Sequence, residues 1–145
     1  MPKVMKSLNT IHRCQSLYRT EKLSADLCAG HHAFIFTICR LPGRSQEELA
    51  RDLYLNKSTV ARTCGQLEER GYVYREPNTC DKRQTLVYPT DKALAVLPKI
   101  REISVDWNKI ISNGVSESEM EIFNSVLKRM EANAKAAISD MEGKL

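Results

Sequence analysis

No stretch of this 145-residue chain stays apolar for the roughly 18 consecutive residues that a membrane span needs, and no internal repeat or low-complexity tract is present. A membrane-spanning, solenoid or linker-like architecture is therefore excluded. The stretch from Met1 to Lys22 is interrupted by charges and has no secretory-signal pattern, so a cytoplasmic location is expected. None of the five cysteines stands in C-x-x-C spacing, and an odd number argues against a disulfide framework. Also missing are a glycine-rich phosphate loop, a Ser-His-Asp order, paired buried carboxylates and metal-ligand spacing, so neither enzyme activity nor a metal or other cofactor is expected. A formal charge of +4 permits contact with nucleic acid without demanding it. The length suits one domain.

What is present is an order of elements. From Ser45 to Thr90 the chain reads as helix, short turn, second helix and hairpin, the order of a winged helix-turn-helix, which docks its second helix in a DNA major groove. Ser45, Gln46, Glu47 and Glu48 make a capping box, because the serine oxygen and the glutamate carboxylate satisfy orphan backbone N–H groups reciprocally. Leu49, Ala50 and Leu53 then give the first helix an apolar face. Asn56 is a good N-cap for the second, where Val60, Cys64 and Leu67 recur at the spacing of a buried stripe, and the helix ends near Gly71.

With that stripe inward, the helical period turns Ser58, Thr59, Arg62, Thr63 and Gln66 outward, with Lys57 beside them. This face carries no carboxylate until Glu68 and Glu69 in the final turn, whereas a solvated helix normally mixes charge signs. The asymmetry favours phosphate and base contact. Val73 to Glu76 and Thr85 to Tyr88 read as the strands of a small wing, with turn formers Pro77, Asn78 and Asp81 between them. At its tip Asp81 is expected to brace Arg83 toward a minor groove or a backbone phosphate, and Arg75 and Lys82 complete the expected DNA-binding set.

Amphipathic helices flank this module. Met120, Phe123, Leu127, Met130, Ala134, Ala137 and Met141 alternate spacings of three and four, behind a second capping box at Ser116 to Glu119. Ala93, Leu97, Ile100, Ile103, Trp107 and Ile111 form another stripe, in which Pro98 should kink the helix or mark its true beginning. Val4, Leu8, Ile11 and Tyr18 mark a third face near the N-terminus. A small winged core cannot cover three such faces, so a two-fold homodimer is expected, presenting two recognition helices to a palindromic duplex with half-site centres about 34–36 Å apart.

The runs Ser45 to Ala50, Asn56 to Arg62, Leu67 to Val73 and Asp81 to Arg83 together resemble the MarR family of bacterial transcriptional regulators. The resemblance implies a single domain over residues 1–145, mainly α with a small β-wing. Its winged helix-turn-helix core would span about residues 30–92, with dimerisation helices at about 3–25 and 93–142. It implies a homodimeric regulator, a repressor or an activator, whose DNA affinity responds to a small aromatic or lipophilic effector or to cysteine oxidation; the repressor is the expected form. It assigns base and phosphate contact to Ser58, Thr59 and Arg62 and minor-groove contact to Arg83. One position departs from the family pattern: Ala93 follows Thr90 where the family usually has a glycine nearby.

The cysteines and histidines carry the remaining expectations. Most cysteines read as small buried hydrophobes, with Cys64 in the inward stripe and Cys39 in the apolar run from Phe34 to Leu41. Cys14, followed by Leu17 and Tyr18, resembles the sensing cysteine of the peroxide-responsive branch of the family, though the next helix offers no tyrosine to activate it. Cys80, beside Lys82 and Arg83, is a second candidate for oxidation. His31 and His32, about 100° apart on a helix, cannot easily ligate one ion. With His12, Phe34 and Arg40 they are instead the expected lining of an effector pocket suited to an anionic aromatic compound. Gly30 marks the start of their helix. Two alternatives stand beside the effector-responsive regulator: an oxidant-sensing regulator of the same fold, and a winged-helix protein-interaction module that does not bind DNA.

Overall fold

Ser45 has two structural roles in the computed structural model, which describes residues 3–28 and 30–142. It is the second residue of a short strand, β1 (Arg44–Ser45), and the N-cap of the helix that follows. Its hydroxyl accepts the Glu48 N–H at 3.1 Å, and a Glu48 carboxylate oxygen accepts the Ser45 N–H at 2.8 Å. The capping box read in the sequence is thus complete, and the Ser45 backbone holds Glu48 below the ordinary carboxylate pKa.

Among the described residues, nine elements follow one another. They are α1 (Val4–Lys22), α2 (His31–Arg40), β1, α3 (Gln46–Leu53), α4 (Lys57–Glu69), β2 (Val73–Pro77), β3 (Thr85–Pro89), α5 (Asp91–Ile111) and α6 (Glu117–Glu142). The three strands form an antiparallel sheet in the order β1-β3-β2, with Ser45 opposite Leu86 and Arg75 opposite Val87. Both wing strands lie where composition puts them, each one residue longer. β1 was not expected, because two residues are too few to carry a period-two pattern.

The chain divides into two units, Met1–Trp107 and Asn108–Leu145. The core of the first unit gathers Leu23, Leu27, Phe34, Ile35, Ile38, Leu49, Val60, Cys64, Leu67, Val73, Val87, Ile100 and Ile103. Helices α2, α3 and α4 and the wing therefore share one apolar interior. α1 buries no residue fully, but Tyr18 lays its ring against Trp107 of α5 with centroids 5.4 Å apart. In the second unit a Ser116 and Glu119 capping box starts α6, and no α6 side chain is buried. Of the apolar seam expected there, Met120, Leu127 and Met130 are half-buried and Phe123, Ala134, Ala137 and Met141 are exposed. Among the described residues no helix is long and apolar enough to cross a membrane.

Two details of chain direction bear on the site. Tyr54 closes α3 in the left-handed region at φ 54°, an uncommon conformation for a residue with a side chain, and this sharp turn aims α4 across α3. The start of α5 differs from one of the two sequence alternatives: Pro98 lies inside the helix, which begins at Asp91. Thr90 makes that start possible, since its carbonyl accepts the Leu94 N–H at 3.1 Å while its hydroxyl donates to the Gly71 carbonyl at 2.6 Å. Ala93 is fully buried there.

Replacing Ser45 by alanine removes the acceptor of a buried cap and is expected to cost about 1 kcal/mol, while Ser45→Thr retains most of it. Urea unfolding followed by circular dichroism measures both.

Candidate nucleic-acid interface

The surface presented by α4 follows from what it buries. Val60, Cys64 and Leu67 have no exposed surface, and Asn56 Oδ1 caps the helix by accepting the Thr59 N–H at 2.8 Å. Lys57, Ser58, Arg62 and Gln66 are exposed, and Thr59 is half-buried. Thr63 corrects the sequence reading, for it is buried beside the apolar stripe rather than turned outward. The reason is helical geometry: three residues after Val60 and four before Leu67, it belongs to the same inward arc. That spacing was visible in the sequence and was read too narrowly.

The wing tip is tied by its own side chains. Asn78 Oδ1 accepts the Cys80 N–H at 3.0 Å, and Asn78 Nδ2 donates to Gln84 Oε1 at 3.0 Å. Asp81 Oδ1 accepts both the Arg83 N–H at 3.1 Å and its Nε–H at 3.2 Å. The Asp81 contacts engage one edge of the guanidinium and leave its terminal nitrogens pointing outward, on a side chain that is 93% exposed. Lys82 beside it is exposed as well.

Helix and wing meet at a groove of about 310 Å³, lined by Gln46 and Glu47 of α3, Lys57, Ser58 and Ala61 of α4, and Arg83, Gln84 and Thr85 of the wing. Lys57 and Ser58 of α4 and Arg83 of the wing thus border one depression. One acid shares it: Glu47 Oε1 stands 3.4 Å from Lys57 Nζ. Both side chains are largely exposed, so this pair is weak and readily exchanged for another anion.

Arg75 belongs elsewhere. Its backbone N–H and its Nε and Nη2 groups all donate to the Glu68 carboxylate at 2.9–3.2 Å, and Nη1 donates to Gln46 Oε1 at 3.3 Å. These bonds hold Glu68 below the ordinary carboxylate pKa. Rather than a residue held out for phosphate, Arg75 is a strut between β2, α4 and α3. The sequence placed it in the DNA-binding set because its cross-element partner was not apparent from linear spacing.

This geometry has counterparts. The pattern of the MarR family matches residues 26–84, the stretch from the loop before α2 to the tip of the wing, ending just before β3. The chain is 26% identical over 134 residues to YybA, a helix-turn-helix-type transcriptional regulator of Bacillus subtilis (strain 168), covering 92% of this chain and 89% of that protein. The crystal structure of MarR superposes with a TM-score of 0.86 at 26% identity, covering 97% of this chain and 95% of its own. A MarR-family regulator from Listeria monocytogenes, solved in complex with a 26mer DNA, superposes with a TM-score of 0.84 at 25% identity over 94% and 92% of the two chains. Over residues 26–84 the chain is similar to the MarR family.

A second feature of the chain is a cavity of about 540 Å³ between α2 and α5. Its walls are His32, Ala33, Phe36 and Thr37 from one helix and Ile100, Arg101, Ser104 and Val105 from the other. The Arg101 guanidinium lies 6.0 Å from the centre of the Phe36 ring, and Arg19 of α1 hydrogen-bonds the His32 imidazole. Of the five residues expected to line an effector pocket, only His32 borders this cavity. His31 and Phe34 are buried in the first unit, while His12 and Arg40 are exposed and lie outside these walls. Arg101 supplies the basic group that the sequence reading sought in Arg40. The stripe containing Ile100 could have pointed to it, since Arg101 is the only basic residue between Ile100 and Trp107.

The cysteines also differ from expectation. Cys14, Cys28 and Cys80 are exposed, Cys39 is half-buried and Cys64 alone is fully buried. Burial raises the Cys64 thiol to about 11 and pushes Cys39 up as well, so neither supplies thiolate at neutral pH. Apolar neighbours in sequence make most of the cysteines look buried, but helix faces and the wing tip separate them.

A double-mutant cycle tests the Arg75 strut: Glu68→Gln and Arg75→Ala should show a coupling of about 1 kcal/mol in urea unfolding. Because Arg75 lowers the Glu68 pKa, the contribution is present above the ordinary value of 4.5 and is lost as pH falls through the lowered one.

Proposed function

We propose that the protein is a homodimeric repressor that binds a palindromic double-stranded operator and releases it when a small aromatic or lipophilic compound occupies the cavity between α2 and α5. The observation that carries the DNA-binding part is the shared groove. Lys57 and Ser58 at the start of α4 and Arg83 on the wing border one depression, with Arg83 braced outward by Asp81. A helix start and a basic wing tip on one surface suit a major groove and the adjoining backbone or minor groove. Arg62 and Gln66 extend the helical surface toward base edges beside the half-buried Thr59, and Lys82 adds charge beside Arg83.

The dimer is supported by the apolar residues left uncovered. Ile122, Phe123 and Met141 of α6 are 67, 49 and 63% exposed, more apolar surface than a solvated helix normally shows. A second copy is the simplest cover for it. The effector part is supported by the chemistry of the cavity: an aromatic wall at Phe36, aliphatic walls at Ile100 and Val105, and one guanidinium at Arg101. Such a lining favours a flat aromatic acid, whose ring stacks while its carboxylate meets Arg101.

Selection of duplexes from a randomised pool, followed by salt-titrated binding to the selected sequence, is the direct test. Arg83→Ala is expected to weaken all duplexes alike and to reduce the slope of log affinity against log salt by about 1 per protomer. Arg62→Ala should relax sequence preference at a defined position at a cost of about 1–3 kcal/mol. If neither change alters duplex binding, the protein-interaction reading replaces this one. For the cavity, Arg101→Ala is expected to abolish release by aromatic carboxylates while leaving affinity without ligand unchanged, read in the same titration.

A further inference from the structure

The C-terminal half of α4 has a feature that the groove does not use. Gln66 and Arg70 both reach back to His31, the first residue of α2, whose side chain is only 3% exposed. The partners of the ring fix its protonation. His31 Nδ1 receives the backbone N–H of Cys28 at 3.3 Å and a guanidinium N–H of Arg70 at 3.3 Å, and both groups can only donate. Nδ1 is therefore a bare acceptor, the ring proton sits on Nε2, and Nε2–H donates to Gln66 Oε1 at 3.3 Å. The two bonds to Nδ1 need the neutral imidazole, whereas the Nε2–H bond to Gln66 does not depend on it.

Adding a proton would turn Nδ1 into a third donor facing two others, one of them cationic. The charged groups near the ring are Arg70 at the end of α4 and Asp26 in the loop before α2. Asp26 is already engaged by the Tyr72 hydroxyl at 3.0 Å and by Lys92 Nζ at 2.9 Å, so it is poorly placed to stabilise an imidazolium. Burial is the largest influence on the ring and lowers its pKa. The Arg70 charge adds to that, while Gln66 and Asp26 oppose it.

We propose that His31 is a positioning residue for DNA recognition: as the neutral ring it latches the last turns of α4 to the start of α2, and its protonation releases that latch and weakens duplex binding. This rests on the DNA-binding reading above. The sign follows from linkage. The latched form holds a proton less readily than a released one with an ordinary histidine, so the latch is stable above the ordinary value of 6.5 and is given up as pH falls below it. His31→Gln offers an amide that can donate to Gln66 and accept from Cys28 and Arg70, but it does not titrate.

The test measures affinity for the pool-selected duplex by fluorescence anisotropy from about pH 7.5 to about pH 5 at constant ionic strength, with far-ultraviolet circular dichroism at each point. Wild-type affinity is expected to fall about tenfold for each unit below the His31 midpoint, at unchanged helix content. His31→Gln should bind at the upper pH like wild type and stay flat, and His12→Gln, at an exposed ring outside the cavity, should keep the wild-type profile. Proton–nitrogen correlation spectra of the imidazoles should show His31 as the Nε2–H tautomer, titrating with the midpoint of the affinity loss. A flat wild-type profile, a His31→Gln profile that falls like wild type, a midpoint that is not that of His31, or a loss that tracks unfolding would each overturn the latch. Absence of duplex binding at the upper pH would instead strike the DNA-binding reading.

Discussion

A helix has one period, and the side it buries decides the side it shows. In α4 that constraint comes from Val60, Thr63, Cys64 and Leu67, packed against the interior shared with α2, α3 and the wing. Once those four are inside, Ser58, Arg62 and Gln66 must face out, and the Asn56 cap sets where the first turn begins. A slip of one residue in this seating would rotate the whole outward surface by about 100°. The seating is reinforced from outside the core by the Arg75 strut to Glu68 and by the Gln66 and Arg70 bonds to His31. Function, on the reading proposed, depends on packing first and on charge second.

The cationic side chains fall into two groups. Arg75 and Lys92 are committed to internal carboxylates and backbone carbonyls, and Lys92 also lies over the Tyr72 ring at 4.3 Å. Asp26, held well below the ordinary carboxylate range chiefly by Lys92, ties the loop before α2 to the start of α5. Arg62, Lys82 and Arg83 lie on the outside. A modest overall charge of +4 therefore conceals a local surplus on the helix and wing. Counting charges along the chain cannot separate the two groups, since Arg75 and Arg83 differ only in what the fold brings beside them.

Much of the architecture was legible because it is written locally. Both capping boxes, the Asn56 cap, the wing strands and the α4 stripe each depend on residues within a turn or two of one another. The Asp81 brace was legible for the same reason, its partner being two residues away. What the sequence hid is cross-element: β1, the Arg75 strut, the burial of His31 and Phe34, and the cavity that takes Arg101 in place of Arg40. Pro98 left two readings open for a different reason. A proline within a helix forfeits one hydrogen bond, yet Thr90 supplies a start for α5 upstream of it, and the helix runs on through the ring.

The double role of Ser45 bears on how such a chain tolerates insertions and deletions during evolution. The wing tip is exposed and closed by its own side chains, so residues can be gained or lost there at little cost to the rest. At Arg44 and Ser45 no such freedom exists, because the strand pairing opposite Leu86 and Val87 runs directly into the first turn of α3. One extra residue at that junction would either break the ladder or strip the helix of its cap. Length variation among relatives should accordingly collect at the hairpin end and be nearly absent where β1 meets α3.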